Sequence, residues 1–287
     1  MTMSAPTATA TLPAGAGIRC QIPHHDPIKW TPGRQPTPAD LEDWCGKFHR
    51  DGFLVIHNVL DQGHVAELRV DLDSALAKPQ PGGQDYGANL RCRLFENSQA
   101  NVRLFDLDPV VSFAERLIAP DCHVVHNNGF STVPGTRLAP WHTDDAPHFT
   151  VLHGEAPKNI RLEVMLFTAN YYLTDVSLPE NGPTVVVPGS HLYGRGCPQQ
   201  PEPAPETVAH ACGPTGSVVL FNNQLWHASG MNTSQTTRKI TQVSYARRLI
   251  GHKFHPFMNY QMPEHVYKDA NPRLRRLLGF LPSGAYG

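Results

Sequence analysis

Apolar positions along this chain fall into two textures, and the change between them lies near Val124. Ahead of it the pattern is helical. Thr37-Pro38-Ala39-Asp40 has the form of a helix start, with Thr37 at the N-cap, Pro38 at the first helical position and Asp40 at the third, and the helix should end near Gly52. Phe53–Ile56 predicts a short apolar strand. Asp61 can cap a second helix whose apolar positions are Val65, Leu68, Val70, Leu72 and Leu76. Residues 37–80 thus read as a helical preface to something else.

Beyond Val124 the apolar runs are short and separated by Gly, Pro and Asn: Ile160–Leu173, Thr184–Val187, Gly216–Phe221 and Lys239–Ala246. Such spacing predicts an antiparallel sandwich or barrel over about 120–250. Pro198–Glu206 predicts a loop, the tail turns helical again around Pro272–Leu278, and no internal repeat is present. Residues 1–36 are rich in Ala, Thr, Pro and Gly without periodicity and predict a flexible N-terminal arm, which leaves 37–287 as a single domain.

Composition narrows the partners. Lys and Arg total 24 against 25 Asp and Glu in 287 residues, so there is no electrostatic footprint for nucleic acid or an anionic membrane, and a small-molecule substrate is expected. No apolar run approaches the roughly 20 residues of a membrane span, and Met1–Cys20 lacks the basic and apolar regions of a leader. A soluble, cytoplasmic protein follows as the expectation. The six cysteines are scattered, with no C-x-x-C, and read as reduced thiols. The sequence leaves monomer and homodimer open.

Sixteen histidines make position, not number, the guide to chemistry. Trp141-His142-Thr143-Asp144 places an imidazole and a carboxylate two residues apart, which on an extended segment puts both on one face. A third ligand can come from His227, 85 residues later, at the end of the strand-like run Ser217–Leu220. Two histidines and one carboxylate on one face of a metal leave the opposite positions open, the geometry used by Fe(II) oxygenases. No haem, flavin or nicotinamide motif is present to supply electrons. Arg238, eleven residues after His227, opens a run in which Arg238, Ile240, Gln242 and Ser244 alternate toward one side, and its guanidinium can clamp a carboxylate near the metal. A 2-oxo acid with a distal carboxylate satisfies that arrangement.

From about Asp40 onward the chain resembles the phytanoyl-CoA dioxygenase family of Fe(II)- and 2-oxoglutarate-dependent oxygenases. The segments that carry the resemblance are Asp51-Gly52-Phe53-Leu54-Val55, Trp141-His142-Thr143-Asp144, Glu180-Asn181-Gly182-Pro183-Thr184 through Pro188-Gly189-Ser190-His191, and His227-Ala228-Ser229-Gly230 with Arg238 beyond. The resemblance implies a mainly β fold, a double-stranded β-helix (jelly-roll or cupin-like) core with N-terminal and C-terminal helices packed on it. It implies His142, Asp144 and His227 as iron ligands and Arg238 as the partner of the distal 2-oxoglutarate carboxylate, with Ser229 and Thr184 supporting the co-substrate. It also implies that O₂ and 2-oxoglutarate are consumed while a small organic metabolite is hydroxylated or otherwise oxidised, with release of succinate and CO₂. Relatives that chlorinate carry Gly or Ala at the carboxylate position, so Asp144 points to hydroxylation-type chemistry.

Other residues admit two readings. Asp145 and His148 sit where a loop should border the pocket and could meet substrate or solvent. Asn127 and Asn128 could turn amides into the site or cap a strand end. Arg91, Arg93 and Arg161 could bind an anionic group, though surface exposure is expected for at least two. His191 is expected to shape a turn beside Pro188-Gly189. As to function, a metal-dependent hydrolase or isomerase would use the triad but leave Arg238 and the Asn-Gly-Pro-Thr segment idle, and a non-catalytic relative would have no need of intact ligands. A fatty acyl-CoA 2-hydroxylase is a further alternative, but no basic cluster stands out to hold a thioester phosphate, which favours a role in natural-product or specialised metabolism.

Overall fold

A computed structural model describes residues 24–79, 89–254 and 257–281. The helical preface forms as the caps predict. Helix α1 (Pro38–Asp51) starts with a capping box in which Asp40 N–H donates to Thr37 Oγ1 (3.2 Å) and Thr37 N–H donates to Asp40 Oδ2 (2.8 Å), and it stops at Gly52 in the left-handed region. Helix α2 (Gln62–Leu76) is capped by Asp61, whose carboxylate accepts from His64 N–H. It buries Val65, Leu68 and Leu72, whereas Val70 is 64% exposed, because two residues past Leu68 on a 3.6-residue period lies the opposite face.

The first 23 residues of the expected arm lie outside the described residues. The remainder is not loose. Strand β1 (Ile28–Lys29) pairs in parallel with β2 (Phe53–His57), and Trp30 is buried edge-on against Trp44 with ring centroids 5.7 Å apart. Flanking prolines hid these two apolar anchors in the composition of the segment.

The remaining strands are β3 (Leu90–Cys92), β4 (His123–Thr132), β5 (Leu166–Tyr172), β6 (Thr184–Val186), β7 (Ala209–Ala211), β8 (Val218–Asn222), β9 (His227–Ser229) and β10 (Arg238–Ala246). They form a seven-stranded sheet in the order β1-β2-β8-β5-β10-β4-β3 and a three-stranded sheet β7-β6-β9. Apart from β1 with β2, every pairing is antiparallel. This is the expected double-stranded β-helix. Ile160–Leu173 was too long a strand: only Leu166–Tyr172 pairs, and the residues before it carry no regular structure.

Alternation along the strands sorts side chains into layers. Phe53, Val55, Val219 and Phe221 of the large sheet meet Val186, Ala209 and Ala211 of the small one. Their neighbours Leu54, Ile56, Val218 and Leu220 face outward instead and join a second core with α1, α2, α3 (Gln99–Phe105) and α4 (Val110–Leu117). The C-terminal helices α5 (Glu264–Tyr267) and α6 (Pro272–Leu277) add Val266 and Leu277 to it. The helices therefore stiffen one face of the large sheet and leave the space between the sheets for a site. Among the described residues no helix is long and apolar enough to cross a membrane, and Cys45, Cys92, Cys122, Cys197 and Cys212 are free thiols.

Candidate active site

A cavity of about 650 Å³ opens between the two sheets, within the range of small-molecule sites. His142, Asp144, His227, Thr184, Ser229 and Arg238 all line it. The alternating run expected on β10 does so completely, since Ile240, Gln242 and Ser244 face the same space.

His227 opens β9 and pairs with Val186 of β6, so it belongs to the small sheet and not to the end of the Ser217–Leu220 run, whose Val218–Leu220 lie in β8. Nor is the His142 segment a strand. A single antiparallel bridge joins it to β9, with His142 N–H donating to His227 O (2.9 Å) and His227 N–H donating to His142 O (3.0 Å). Past Pro140, which has no N–H to give, the pairing continues only irregularly through Ser229 N–H to Ala139 O (3.1 Å), and a bend at Asp144-Asp145 ends it on the other side. Asp144 is fixed separately, its N–H donating to Asn223 O at 2.8 Å.

One ligand atom from each of His142, Asp144 and His227 lies within 4.8 Å of the others. His142 Nδ1–H donates to Pro140 O (2.7 Å) and His227 Nδ1–H donates to Leu225 O (2.9 Å). Because a carbonyl only accepts, both rings carry their proton on Nδ1 and present the Nε2 lone pair. Those Nε2 atoms converge on Asp144 Oδ1, at 3.4 and 3.7 Å. Asp144 raises the pKa of His142, while burial lowers that of His227 despite the same carboxylate. Burial pushes the Asp144 carboxyl up, yet the two imidazoles and Lys253 more than offset it and hold it below the usual range. Two neutral nitrogens and one ionised oxygen, each aimed at a common point, form a donor set that suits a divalent transition metal.

A second set of contacts holds this geometry. Asn223 Nδ2 donates to Asp144 Oδ2 (3.4 Å), Thr168 Oγ1 donates to Asn223 Oδ1 (3.1 Å), and Thr168 Oγ1 lies 2.9 Å from Ser244 Oγ. Asn223 is read from sequence only with difficulty, since nothing in Phe221-Asn222-Asn223-Gln224 marks one amide over the other.

Arg238 is 3% exposed, donates through one Nη to Gly182 O, and has no partner for Nε. Among the described residues no carboxylate pairs with it, and burial lowers its pKa. The Asn181-Gly182-Pro183-Thr184 turn explains its own glycine here. Gly182 has φ 69°, and a Cβ would come within 3.0 Å of Gly230 O and 3.1 Å of Asn232 N. Thr184 pairs with Ser229 across β6 and β9, so both hydroxyl residues belong to the Arg238 end of the cavity.

The other two motifs meet each other. A Cβ on Gly52 (φ 80°) would strike the His191 ring at 2.6 Å, Gly189 N–H donates to Asp51 O (2.8 Å), and His191 Nε2 donates to His49 O (3.1 Å). Ser190 Oγ accepts from Trp226 N–H (2.8 Å), which fixes the residue before His227. These segments position β9 and the start of β2.

Of the residues with two readings, Asn127, Asp145 and His148 do not line the cavity. Asn127 is fully buried on the helix side of β4, its Oδ1 accepting from Phe95 N–H (2.9 Å) and its Nδ2 donating to Asn101 Oδ1 (3.1 Å) and Gln242 O (3.0 Å). Its neighbour Asn128 faces the cavity instead. Asp145 and His148 do not line the cavity: His148 Nε2 lies 3.1 Å from Asp145 Oδ2, and Gln224 holds His148 through its backbone N–H (2.7 Å) and ring Nδ1 (3.0 Å). Arg91 donates to the carbonyls of Ala75, Leu76 and Lys78 and so closes the end of α2, while Arg93 lies 3.5 Å from Glu96.

The family model for phytanoyl-CoA dioxygenase matches residues 48–240. This chain belongs to the phytanoyl-CoA dioxygenase family. It is a dioxygenase, in keeping with its curated relatives. Dioxygenase andF of Emericella variicolor is 25% identical over 264 residues, spanning 85% of this chain and 86% of that protein. The ectoine dioxygenase of Nocardia farcinica is 25% identical over 229 residues, 67% of this chain and 72% of that one. Among solved structures, the epimerase SnoN in complex with Fe3+, alpha ketoglutarate and nogalamycin RO superposes with a TM-score of 0.56 at 21% identity, covering 76% of this chain and 88% of SnoN. At that identity the likeness speaks to the fold of the dioxygenase.

Proposed function

We propose that the dioxygenase binds Fe(II) through His142 Nε2, His227 Nε2 and Asp144 Oδ1, takes 2-oxoglutarate on Arg238, and oxidises a small organic metabolite. Held there, iron with 2-oxoglutarate would supply the O₂ chemistry: one oxygen atom would go to the oxo acid as it loses CO₂ to give succinate, and the other would serve to oxidise a C–H bond of the second substrate. The observation that carries the reading is Arg238: a buried guanidinium in the same cavity as the triad, with Nε unpartnered and no carboxylate of the described chain against it. A buried cation without a counter-ion is costly, and a carboxylate ligand in bidentate contact would relieve it.

The chain's own residues then have separate tasks. Nδ1 contacts to Pro140 O and Leu225 O fix both imidazoles as neutral ligands. Asn223 holds the second Asp144 oxygen, which leaves one oxygen for the metal. Thr184 and Ser229 offer hydroxyls to the co-substrate beside Arg238. A hydrolase or isomerase would give Arg238 no anionic partner.

The test is an anaerobic titration of the Fe(II)-loaded protein with 2-oxoglutarate, following the metal-to-ligand charge-transfer absorption. Arg238→Ala should weaken co-substrate binding by roughly 30-fold to several thousand-fold, the loss that accompanies about 2–5 kcal/mol for truncating a buried charge partner. Arg238→Lys should recover only part, since an ammonium lacks the planar fork. Equal affinity in all three proteins would sink the reading.

A further inference from the structure

The cavity carries charge in excess of what iron and 2-oxoglutarate account for. Its lining holds one carboxylate, Asp144, and three permanent cations, Arg137, Arg238 and Lys253. Arg137 pairs with Glu202 at 3.0 Å, and Arg238 is assigned above to the co-substrate. Lys253, an exposed residue at the rim of the cavity, has no ion-pair partner among the described residues and is free to meet an anion there. Its backbone N–H donates to Val125 O (2.7 Å), which anchors it beside the start of β4 at the cavity mouth, and its charge reaches both Asp144 and His126.

Register places Lys253 and Arg238 at opposite ends. Along the β10–β4 pair, Arg238 lies opposite Thr132, Gln242 opposite Asn128 and Ser244 opposite His126. Four residues of strand separate Arg238 from Gln242, roughly 13 Å at the usual rise. The wall toward the Lys253 end is polar: His126, Asn128, Gln242 and Ser244 face the cavity there, while Asn170 reaches back to Thr184 at the Arg238 end, its Nδ2 donating to Thr184 Oγ1 (3.4 Å). Gln242 Nε2 donates to Asn170 Oδ1 (3.0 Å), so the Asn170 amide is paired at both its atoms. Asn128 is different. It is 4% exposed, its Nδ2 lies 3.4 Å from His126 Nδ1, and its Oδ1 has no partner. Whichever way the amide is turned, one of its polar atoms is left over, and a buried amide atom without a partner is costly.

We propose that this end of the cavity binds the prime substrate as a small amino- or hydroxy-acid, Lys253 taking its carboxylate and Asn128 Oδ1 accepting from its adjacent N–H or O–H. The proposal rests on the oxygenase reading above and adds the substrate class to it. The unpartnered Asn128 oxygen would stay unsatisfied against a hydrocarbon chain, whereas the N–H or O–H of a small acid satisfies it.

The probes are two pools, one of free α-amino and α-hydroxy acids and one of the matching primary carboxamides. Each is added anaerobically to the Fe(II)- and 2-oxoglutarate-loaded protein, and perturbation of the charge-transfer band is followed alongside calorimetric binding. The acid pool should perturb the band and bind, and the carboxamide pool should do neither. Lys253→Met should lose at least tenfold in affinity for the acid pool, Lys253→Arg should retain most of it, and Asn128→Leu should weaken it. Equal responses to both pools, no response to either, or a Lys253→Met protein that matches the wild type would overturn the proposal. If the wild type forms no charge-transfer band at all, it is the oxygenase reading that fails.

Discussion

His142 and His227 are tied to each other twice through the backbone, N–H to O at 2.9 and 3.0 Å, so the two imidazoles that face Asp144 are set by one reciprocal bridge and not by two independent loops. Their rings lie 4.2 Å apart, centroid to centroid. Because that bridge is backbone, removing either side chain leaves it in place. Thus His142→Ala, Asp144→Ala and His227→Ala should each reduce Fe(II)-dependent turnover by orders of magnitude and weaken iron binding, with near-normal unfolding midpoints for the first two. His227→Ala should cost more stability, since that ring is 6% exposed and packs 4.6 Å from Phe221. Anaerobic iron titration with parallel urea unfolding checks both halves, and near-normal turnover in any variant removes that residue from the triad.

Asn223 supplies the next test. It anchors Asp144 by its carbonyl and touches the carboxylate through a long 3.4 Å contact. The backbone contact survives truncation, so Asn223→Ala should weaken iron affinity by about tenfold, the low end of what such supporting contacts contribute. The measurement is Fe(II) affinity by competition with a chelator. An unchanged affinity would show that backbone alone orients Asp144.

How much of this was legible depends on the kind of signal. Thr37 and Asp61 announced their helices because a cap is a local hydrogen-bonding device, complete within four residues. The ligand set was legible as a combination, His-x-Asp with a later His and Arg, although the segment reasoned to be a strand around His142 is held by one bridge and His227 sits on the opposite sheet from the run that precedes it. Asn127 and Asn128 show where period-two reasoning stops: alternation says that neighbours face opposite ways, but only the sheet's packing decides which faces the cavity. Helices α3 and α4 are too short for a periodicity to stand out, and Lys253 lies in a loop where no pattern exists to read.

Asn127 makes that parity testable. Its three hydrogen bonds join β4 to Phe95, Asn101 and β10 away from the cavity. Asn127→Ala leaves Phe95 N–H and Gln242 O without these partners, and such losses cost about 1–3 kcal/mol each at most. Urea unfolding should therefore show destabilisation of roughly 2–4 kcal/mol. The Michaelis constant for 2-oxoglutarate, measured below the unfolding transition, should stay within about twofold, whereas a substrate-contacting residue would show the reverse pattern.

The last prediction concerns Asp51, the carboxylate that ties the N-terminal segment to the end of α1. Its Oδ2 lies 2.9 Å from His25 Nδ1, and Arg50 meets both of its oxygens at 2.8 and 2.7 Å. Burial on its own would raise the Asp51 pKa, but the His25 hydrogen bond and the Arg50 fork outweigh it and bring the carboxyl down to about 2. An unfolded aspartate titrates near 3.9. The folded value is thus depressed, so the contribution to stability is complete above the unfolded pKa and is lost as pH falls toward 2. A difference of this size corresponds to about 2.5 kcal/mol at neutral pH, with about half remaining at pH 3. The side chain is only 4% exposed, which limits screening by solvent. Asp51→Asn should accordingly unfold at lower urea than wild type at pH 6, and the gap between the two proteins should narrow by about half at pH 3. Urea is the appropriate denaturant because guanidinium would screen the pair. A gap that is constant with pH would mean that Asp51 acts through shape and hydrogen bonding alone, and that its ionisation contributes nothing to anchoring β1 beside β2.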